Sequence, residues 1–435
     1  MKSNSLNLAC LGLMTIATTT LVFFTASTEI SARANEVKYP VTANRQADGS
    51  LGNKDTVNPA QLIQQGQTAI RDRDWDKAET IWQQVIQLQP NNADAYRNLC
   101  EAFARQDKIE PAKAQCHKAI ELDPKLANAY YSRGFLKGFK LNDSSGALAD
   151  YNKAILLHRD SANELDPKFA EAYYNRGFLK VFKLNDSSGA LTDYNKAIEL
   201  DPKLARAYTN RARLKGFWLK NVSGALADHN KAIELNPKLA LAYKNRADLK
   251  SNKLKDVSGA LTDYNKAVEL DSKFAEVYYA RAYLKSNKLN DVSGSLVDYN
   301  KAIELDPKHA NAYNNRAELK YHKLNDISGA LADYSKAIEL FPNRHAMAYK
   351  NRGFLKGFKL NDMPGSLADF NQAIAISPKF AEAYAERADL KEQKMQDRAG
   401  AIQDYRQAVK FYREEGETAD VQKTIEKLRK LGALA

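Results

Sequence analysis

An asparagine recurs in this chain at one place in a repeated phrase, as Asn98, Asn175, Asn210, Asn245, Asn315 and Asn351, with Ser132, Ala280 and Glu386 interrupting the series. A carboxamide both donates and accepts hydrogen bonds, so a row of them can pair with the C=O and N–H of an extended backbone without reading its side chains. The same row can equally solvate an exposed face or bond its own neighbours. Phe178 and Phe182 lie within about 60° of Asn175 if the segment is helical, and Phe135, Phe139, Phe217, Phe354 and Phe358 take the equivalent places. Exposed apolar clusters of this kind mark contact sites, the alternative being packing between adjacent helices. Between the two aromatic zones the same slots hold Asp248, Asn252, Asn287 and Glu318, a more polar stretch. The candidate partner-binding residues are therefore Asn175, Asn210, Asn245, Asn315, Asn351, Phe178, Phe182, Phe354 and Phe358.

A second ladder, Arg133, Arg176, Arg211, Arg246, Arg281, Arg316, Arg352 and Arg387, suggests anion binding at first sight. An acid recurs with the same period, as Asp150, Asp193, Asp228, Asp263, Asp298, Asp333, Asp369 and Asp404, and matched periods of opposite charge point instead to structural pairs. Lysines such as Lys196, three residues before Glu199, are ordinary surface-helix pairs. No G-x-x-x-x-G-K-[ST], H-E-x-x-H or G-x-S-x-G string occurs. The six histidines form no ligand pairs at helical spacing, so neither a catalytic residue nor a metal or cofactor site is expected. Cys100 and Cys116 fall in facing slots of one hairpin, where they form either a disulfide or two buried thiols that behave as small hydrophobes.

The elements that position these residues follow from the repeat itself. Tyr173, Tyr208, Tyr243, Tyr278 and Tyr313 are spaced by 35 residues, and two diverged copies come first, so that ten units run from about Pro59 to Arg413. In the fourth copy Tyr173, Gly177 and Leu184 fall at i, i+4 and i+11, one face of a helix. Asn185, Asp186, Ser188 and Gly189 then break it, with Asp186 or Ser188 available as the next N-cap. A second helix turns Leu191, Tyr194 and Ile198 inward and ends at Asp201-Pro202. Between Pro124 and Pro167 the interval lengthens to 43, so the extra Leu156 to Asn163 is expected to bend or loosen the stack.

Tyr173, Gly177, Ala190, Tyr194, Ala197 and Pro202 resemble the signature of the tetratricopeptide repeat family. The resemblance implies an all-α, right-handed superhelical solenoid of about ten helix-turn-helix repeats, closed by a C-terminal capping helix and carrying the asparagine face on its concave side. Similar asparagine ladders line peptide-binding grooves in some members. Two features depart from the family: most copies have 35 residues instead of 34, and Lys180 and its equivalents stand where a tyrosine is usual. A lysine stem laid along apolar surface with its head in water is the expected account of the second. The carboxylate clamp of some members is poorly matched, because Asp248 stands where an asparagine would be needed beside Lys244 and Asn245.

The repeats leave little else. Lys2 is followed by an uncharged apolar run from Leu6 to Phe24 and by Ala32, Arg33 and Ala34, the layout of a secretory signal peptide cleaved after Ala34, with an uncleaved membrane anchor as the alternative. The expected organisation is a leader or anchor at 1–34, a polar linker at 35–58, the repeat array at 59–416 and the cap at 417–435. With 65 basic and 53 acidic residues the formal net charge is +12. Export makes nucleic acid an unsuitable partner for this charge, since positive charge alone reads no bases. The reading is a non-catalytic adaptor without cofactors, located in a periplasm, a lumen or outside the cell, that binds another protein or peptide, with membrane contact only through an uncleaved N-terminus. The alternative is an envelope tether that holds anionic lipid or wall polymer on its basic surface.

Overall fold

A computed structural model describes residues 58–160 and 169–433 of the chain. The leader, most of the linker and the end of the insertion, Ser161 to Asn163, lie outside the described residues. Two compact units divide at Leu249 and Lys250. In the first, the helices are α1 (Pro59–Asp72), α2 (Trp75–Leu88), α3 (Ala93–Arg105), α4 (Ile109–Leu122), α5 (Ala127–Phe139), α6 (Ser144–Asp160), α7 (Ala170–Phe182), α8 (Ser187–Leu200), α9 (Ala205–Arg213), α10 (Val222–Leu235) and α11 (Ala240–Leu249). The second holds α12 (Val257–Leu270), α13 (Ala275–Leu284), α14 (Val292–Leu305), α15 (Ala310–Leu324), α16 (Ile327–Leu340), α17 (Ala346–Phe354), α18 (Met363–Ile376), α19 (Ala381–Gln393), α20 (Arg398–Glu415) and α21 (Thr418–Lys430). The architecture is all-α, a solenoid of helical hairpins, and no strand occurs among the described residues.

From the third copy on, each second helix starts where the sequence supplies a cap. Asp186 accepts a hydrogen bond from the Gly189 N–H at 2.8 Å, and Asp143, Asn221, Asp256, Asp291, Asp326, Asp362 and Asp397 do the same for their copies. The residue before the cap is left-handed, as at Asn185 with φ 55°. Asparagine tolerates that region better than most residues. Inside each hairpin small residues admit a buried ring. Tyr194, Ala190 and Ala197 are fully buried, and a Cβ on Gly177 would lie 3.1 Å from Tyr194 Cε1.

The thirty-fifth residue is accommodated at the end of the first helix. There the hydrogen bonding widens from i→i+4 to i→i+5, as from Leu184 N–H to the Leu179 carbonyl (3.2 Å), from Leu219 to Leu214 (3.1 Å) and from Leu360 to Leu355 (3.0 Å). A one-residue insertion into a helix produces such a π-turn.

No hairpin can bury its own apolar face, so the copies stack. In the first unit the first helices of successive hairpins touch one another, α1 with α3, α3 with α5, α5 with α7 and α9 with α11, and so form one layer. In the second unit α17 touches α19 in the same way. Helix α21 covers the last hairpin with Val421, Leu428 and the half-buried Ile425 against Tyr405, Val409 and Tyr412. The insertion begins as an extension of α6, which runs 17 residues where α8 has 14. Within that extension His158 is buried and stacks on Phe169 with ring centroids 3.6 Å apart.

Candidate functional site

The framework that orients the first helices is ionic. Arg176 Nε and Nη2 form a bidentate pair with Asp193 at 2.9 and 2.5 Å, and Lys180 Nζ meets the same carboxylate at 2.9 Å. Asp193 is 1% exposed, so its charge is tolerated only because two cations and their hydrogen bonds surround it. The same triad forms at Asp150, Asp228, Asp298, Asp333, Asp369 and Asp404. The arginine does more than neutralise. Its guanidinium lies over the tyrosine of its own helix, Arg176 over Tyr173 at 5.3 Å, and its Nη1 donates to the preceding hairpin, to Asn152 at 2.8 Å. The expectation of a lysine head snorkelling to water is thereby corrected: where the family has a tyrosine, Lys180 reaches a buried aspartate across the hairpin.

The asparagines are similarly engaged. Asn175 and Asn210 are buried, and their Nδ2 atoms donate to Tyr131 Oη at 3.2 Å and Tyr174 Oη at 3.0 Å on the preceding first helix. Asn315 donates to Tyr279 Oη at 3.2 Å, and Asn351 donates to Glu318 at 3.1 Å. Asn245 is 3% exposed and its Nδ2 has no hydrogen-bond partner. The preceding copy explains the exception: Thr209 stands where Asn175, Asn210 and Asn315 find a tyrosine, and its hydroxyl donates to the Ala205 carbonyl at 3.0 Å. Asn175, Asn210, Asn315 and Asn351 thus bond their neighbours, one of the roles open from sequence, and sequence reasoning had missed the tyrosine partners. The doubled Tyr130-Tyr131, Tyr173-Tyr174 and Tyr278-Tyr279 are the signal that could have found them.

The phenylalanines are brought together. In the first unit the rings form a row: Phe135 to Phe139 (5.0 Å), Phe139 to Phe178 (5.5 Å), Phe178 to Phe182 (4.6 Å) and Phe182 to Trp218 (5.9 Å). Phe178 is buried in the middle, while Phe135, Phe139, Phe182, Phe217 and Trp218 are half-buried. In the second unit Phe354 and Phe358 pair at 5.0 Å, and Tyr321 meets Phe354 edge-on at 6.1 Å. Offset and tilted rings at these separations attract one another, so the row is a packed surface with accessible edges.

Charge separates the two faces. Around the first row stand Arg105, Arg206 and Arg213, each over an aromatic ring. In the second unit the first helices carry Glu318, Glu386 and Asp389 on this face, Glu318 and Asp389 in the slot of Arg213. Burial pushes the Glu386 carboxyl up to about 7, against the opposing pull of Lys350, whose Nζ lies 3.3 Å from Glu386 and 3.4 Å from Glu382. Burial raises the Glu318 carboxyl as well. Lys350 is held above its usual range: Glu386, Glu382 and Glu318 outweigh the desolvation that works the other way.

Cys100 and Cys116, both fully buried, are bonded as a disulfide across the α3–α4 hairpin with Cα atoms 5.2 Å apart. No group of histidine, cysteine, aspartate or glutamate able to hold a metal occurs among the described residues.

Tetratricopeptide-repeat profiles match residues 63–134, 179–214, 287–323 and 310–344, and the chain belongs to the tetratricopeptide repeat family. A stretch of 120 residues is 32% identical to human serine/threonine-protein phosphatase 5 and covers 28% of this chain and 23% of that one. A stretch of 79 residues is 30% identical to the rice protein SGT1 homolog and covers 18% and 22%. The chain spans less than a quarter of the length of these curated relatives. Among solved structures, yeast Tom70 is similar over 86% of this chain and 95% of its own, at 18% identity and a TM-score of 0.42. Repeats of this kind are typically non-catalytic interaction scaffolds.

Proposed function

We propose that the protein is a non-catalytic adaptor that works outside the cytoplasm and holds an extended segment of another protein along the face formed by its first helices. The observation that carries this reading is the row from Phe135 to Trp218, an apolar strip that crosses three hairpins and leaves its edges half-buried. A strip of that length fits a chain better than a compact small molecule, and its width suits successive apolar side chains. Phe182 is the anchor on the first unit, and Phe354 and Phe358 are the anchors on the second. Asn175, Asn210 and Asn315 set the spacing of the helices that carry them and offer their carbonyl oxygens at most.

Export is supported by the apolar run at 6–24 followed by Ala32-x-Ala34, and by the Cys100–Cys116 disulfide, a bond that persists in oxidising compartments. The tether reading is less well supported. It needs a free basic surface, and the arginine ladder is paired with aspartates.

The test is selection from a displayed library of random peptides on the full chain. Enriched peptides should lose most of their binding to the Phe139→Ala, Phe182→Ala double variant while helicity is unchanged. Peptides that bind this variant as well as wild type would refute the aromatic face as the binding surface.

A further inference from the structure

Around the aromatic row of the first unit, guanidinium outnumbers carboxylate. Arg97 and Arg105 on α3 share Glu101, each 3.7 Å from it and so beyond hydrogen-bonding distance, and each keeps a buried Nε without a partner. Arg105 lies flat over aromatic rings instead, 4.5 Å from Phe135 and 5.7 Å from Trp75. Arg206 on α9 lies 4.9 Å over Tyr174 and is paired with Glu171.

These cations from distant repeats act on one another. Burial lowers the pKa of Arg206 to about 10, and the positive charges of Arg105 and Arg73 add to that fall against the opposing effect of Tyr131. Burial and Arg105 together lower that of Arg73, the residue at the left-handed end of α1. Residues 73, 105 and 206 belong to the first, second and fifth copies, and their charges reach one another across the layer of first helices.

Like charges gathered beside low-dielectric ring planes are relieved by an incoming anion, and the planar fork of arginine matches a carboxylate. We propose that this face of the first unit selects an acidic segment, whose carboxylates meet Arg73, Arg105 and Arg206 while its apolar side chains lie on Phe139, Phe182 and Trp218. The inference rests on the adaptor reading above and adds the charge of the partner. Arginines and rings alternate along several hairpins, an arrangement that suits a polypeptide carrying both kinds of side chain. A lone headgroup would meet the cations and leave the row uncovered.

Three fluorescent peptides of equal length and identical apolar residues test it on the full chain, with glutamate, glutamine or lysine at the intervening positions. The glutamate peptide should bind about tenfold or more tighter than the glutamine peptide, with an advantage that shrinks as salt rises. The Arg105→Gln, Arg206→Gln variant should remove the advantage of the glutamate peptide over the glutamine one, and circular dichroism that matches wild type shows that the variant is folded. Glutamine or lysine peptides binding as tightly as glutamate would overturn the charge inference and leave the adaptor reading standing. Failure of all three to bind would count against both.

Discussion

The two units hold the same framework and present opposite surfaces. Around Asp193 in the first and Asp333 in the second, the arginine, the lysine and the buried carboxylate meet at nearly the same distances. The slots on the face of the first helices differ: Phe178 in the first unit corresponds to Glu318 in the second, and Tyr174 to Lys350. One side collects arginines on aromatic rings. The other buries glutamates around a lysine. The fold is therefore fixed by slots that point into the hairpin and the character of the surface by slots that point out of it, and the two sets vary independently.

The largest effect tests the shared framework. Asp193→Ala and Asp333→Ala each strand an arginine and a lysine that are mostly buried, and each should destabilise its own unit by about 3–5 kcal/mol. Denaturant unfolding followed by hydrogen exchange reads this locally. Equal losses support a common framework, and a loss in only one unit would break the comparison.

A smaller loss, about 1–3 kcal/mol, is expected for Gly177→Leu, because the added side chain meets Tyr194 and Asp193 at 3.1–3.2 Å. The fully buried Ala317 fills that slot in the second unit, so Gly177→Ala should be far milder. Thermal melts that fail to separate the two substitutions would show that the hairpin has room.

The third difference appears with pH. A carboxyl raised to about 7 in the folded chain against 4.5 in the unfolded one binds more protons when folded, so stability should fall as pH rises through that window. Lys350, Glu382 and Asp389 act on Glu386 and set the size of the effect, and Glu318 acts on Lys350. Melting curves of Glu386→Gln should have a shallower pH slope than wild type, with the change confined to the second unit. An unaltered slope would locate the titration elsewhere.

The smallest effect concerns the ties between hairpins. Tyr174→Phe removes the acceptor of the buried Asn210 amide and should cost about 1 kcal/mol. Asn245, whose amide has no such partner, offers the control: Thr209→Tyr should gain what Tyr174→Phe loses if the larger ring is accommodated. Chemical denaturation compares the pair.

Much of this was legible in the residues, for reasons that are local. Asp186 caps its helix because cap and recipient are three residues apart, and the Arg176–Asp193 pair shows in two ladders of matched period. What depended on the neighbouring copy was not. Asn175 faces away from its own hairpin, as its helical angle says, yet the preceding first helix covers it and supplies Tyr131. The thirty-fifth residue became a widened helical turn instead of a longer loop, and that choice lies in hydrogen bonding without a marker in residue type. The opposite charge of the two faces stayed hidden because Arg73, Arg105 and Arg206 come from copies far apart in the sequence and act on one another only in the folded stack.

Photocrosslinking in the native cell tests the central claim most directly, with a crosslinking amino acid placed in the full chain at Phe182 or Phe354 on the first-helix face, or at Lys196 or Lys336 on second helices. Polypeptide adducts are predicted from Phe182 and Phe354 and not from the two lysine positions. Adducts from Lys196 and Lys336 alone would move the binding surface to the second helices and contradict the account.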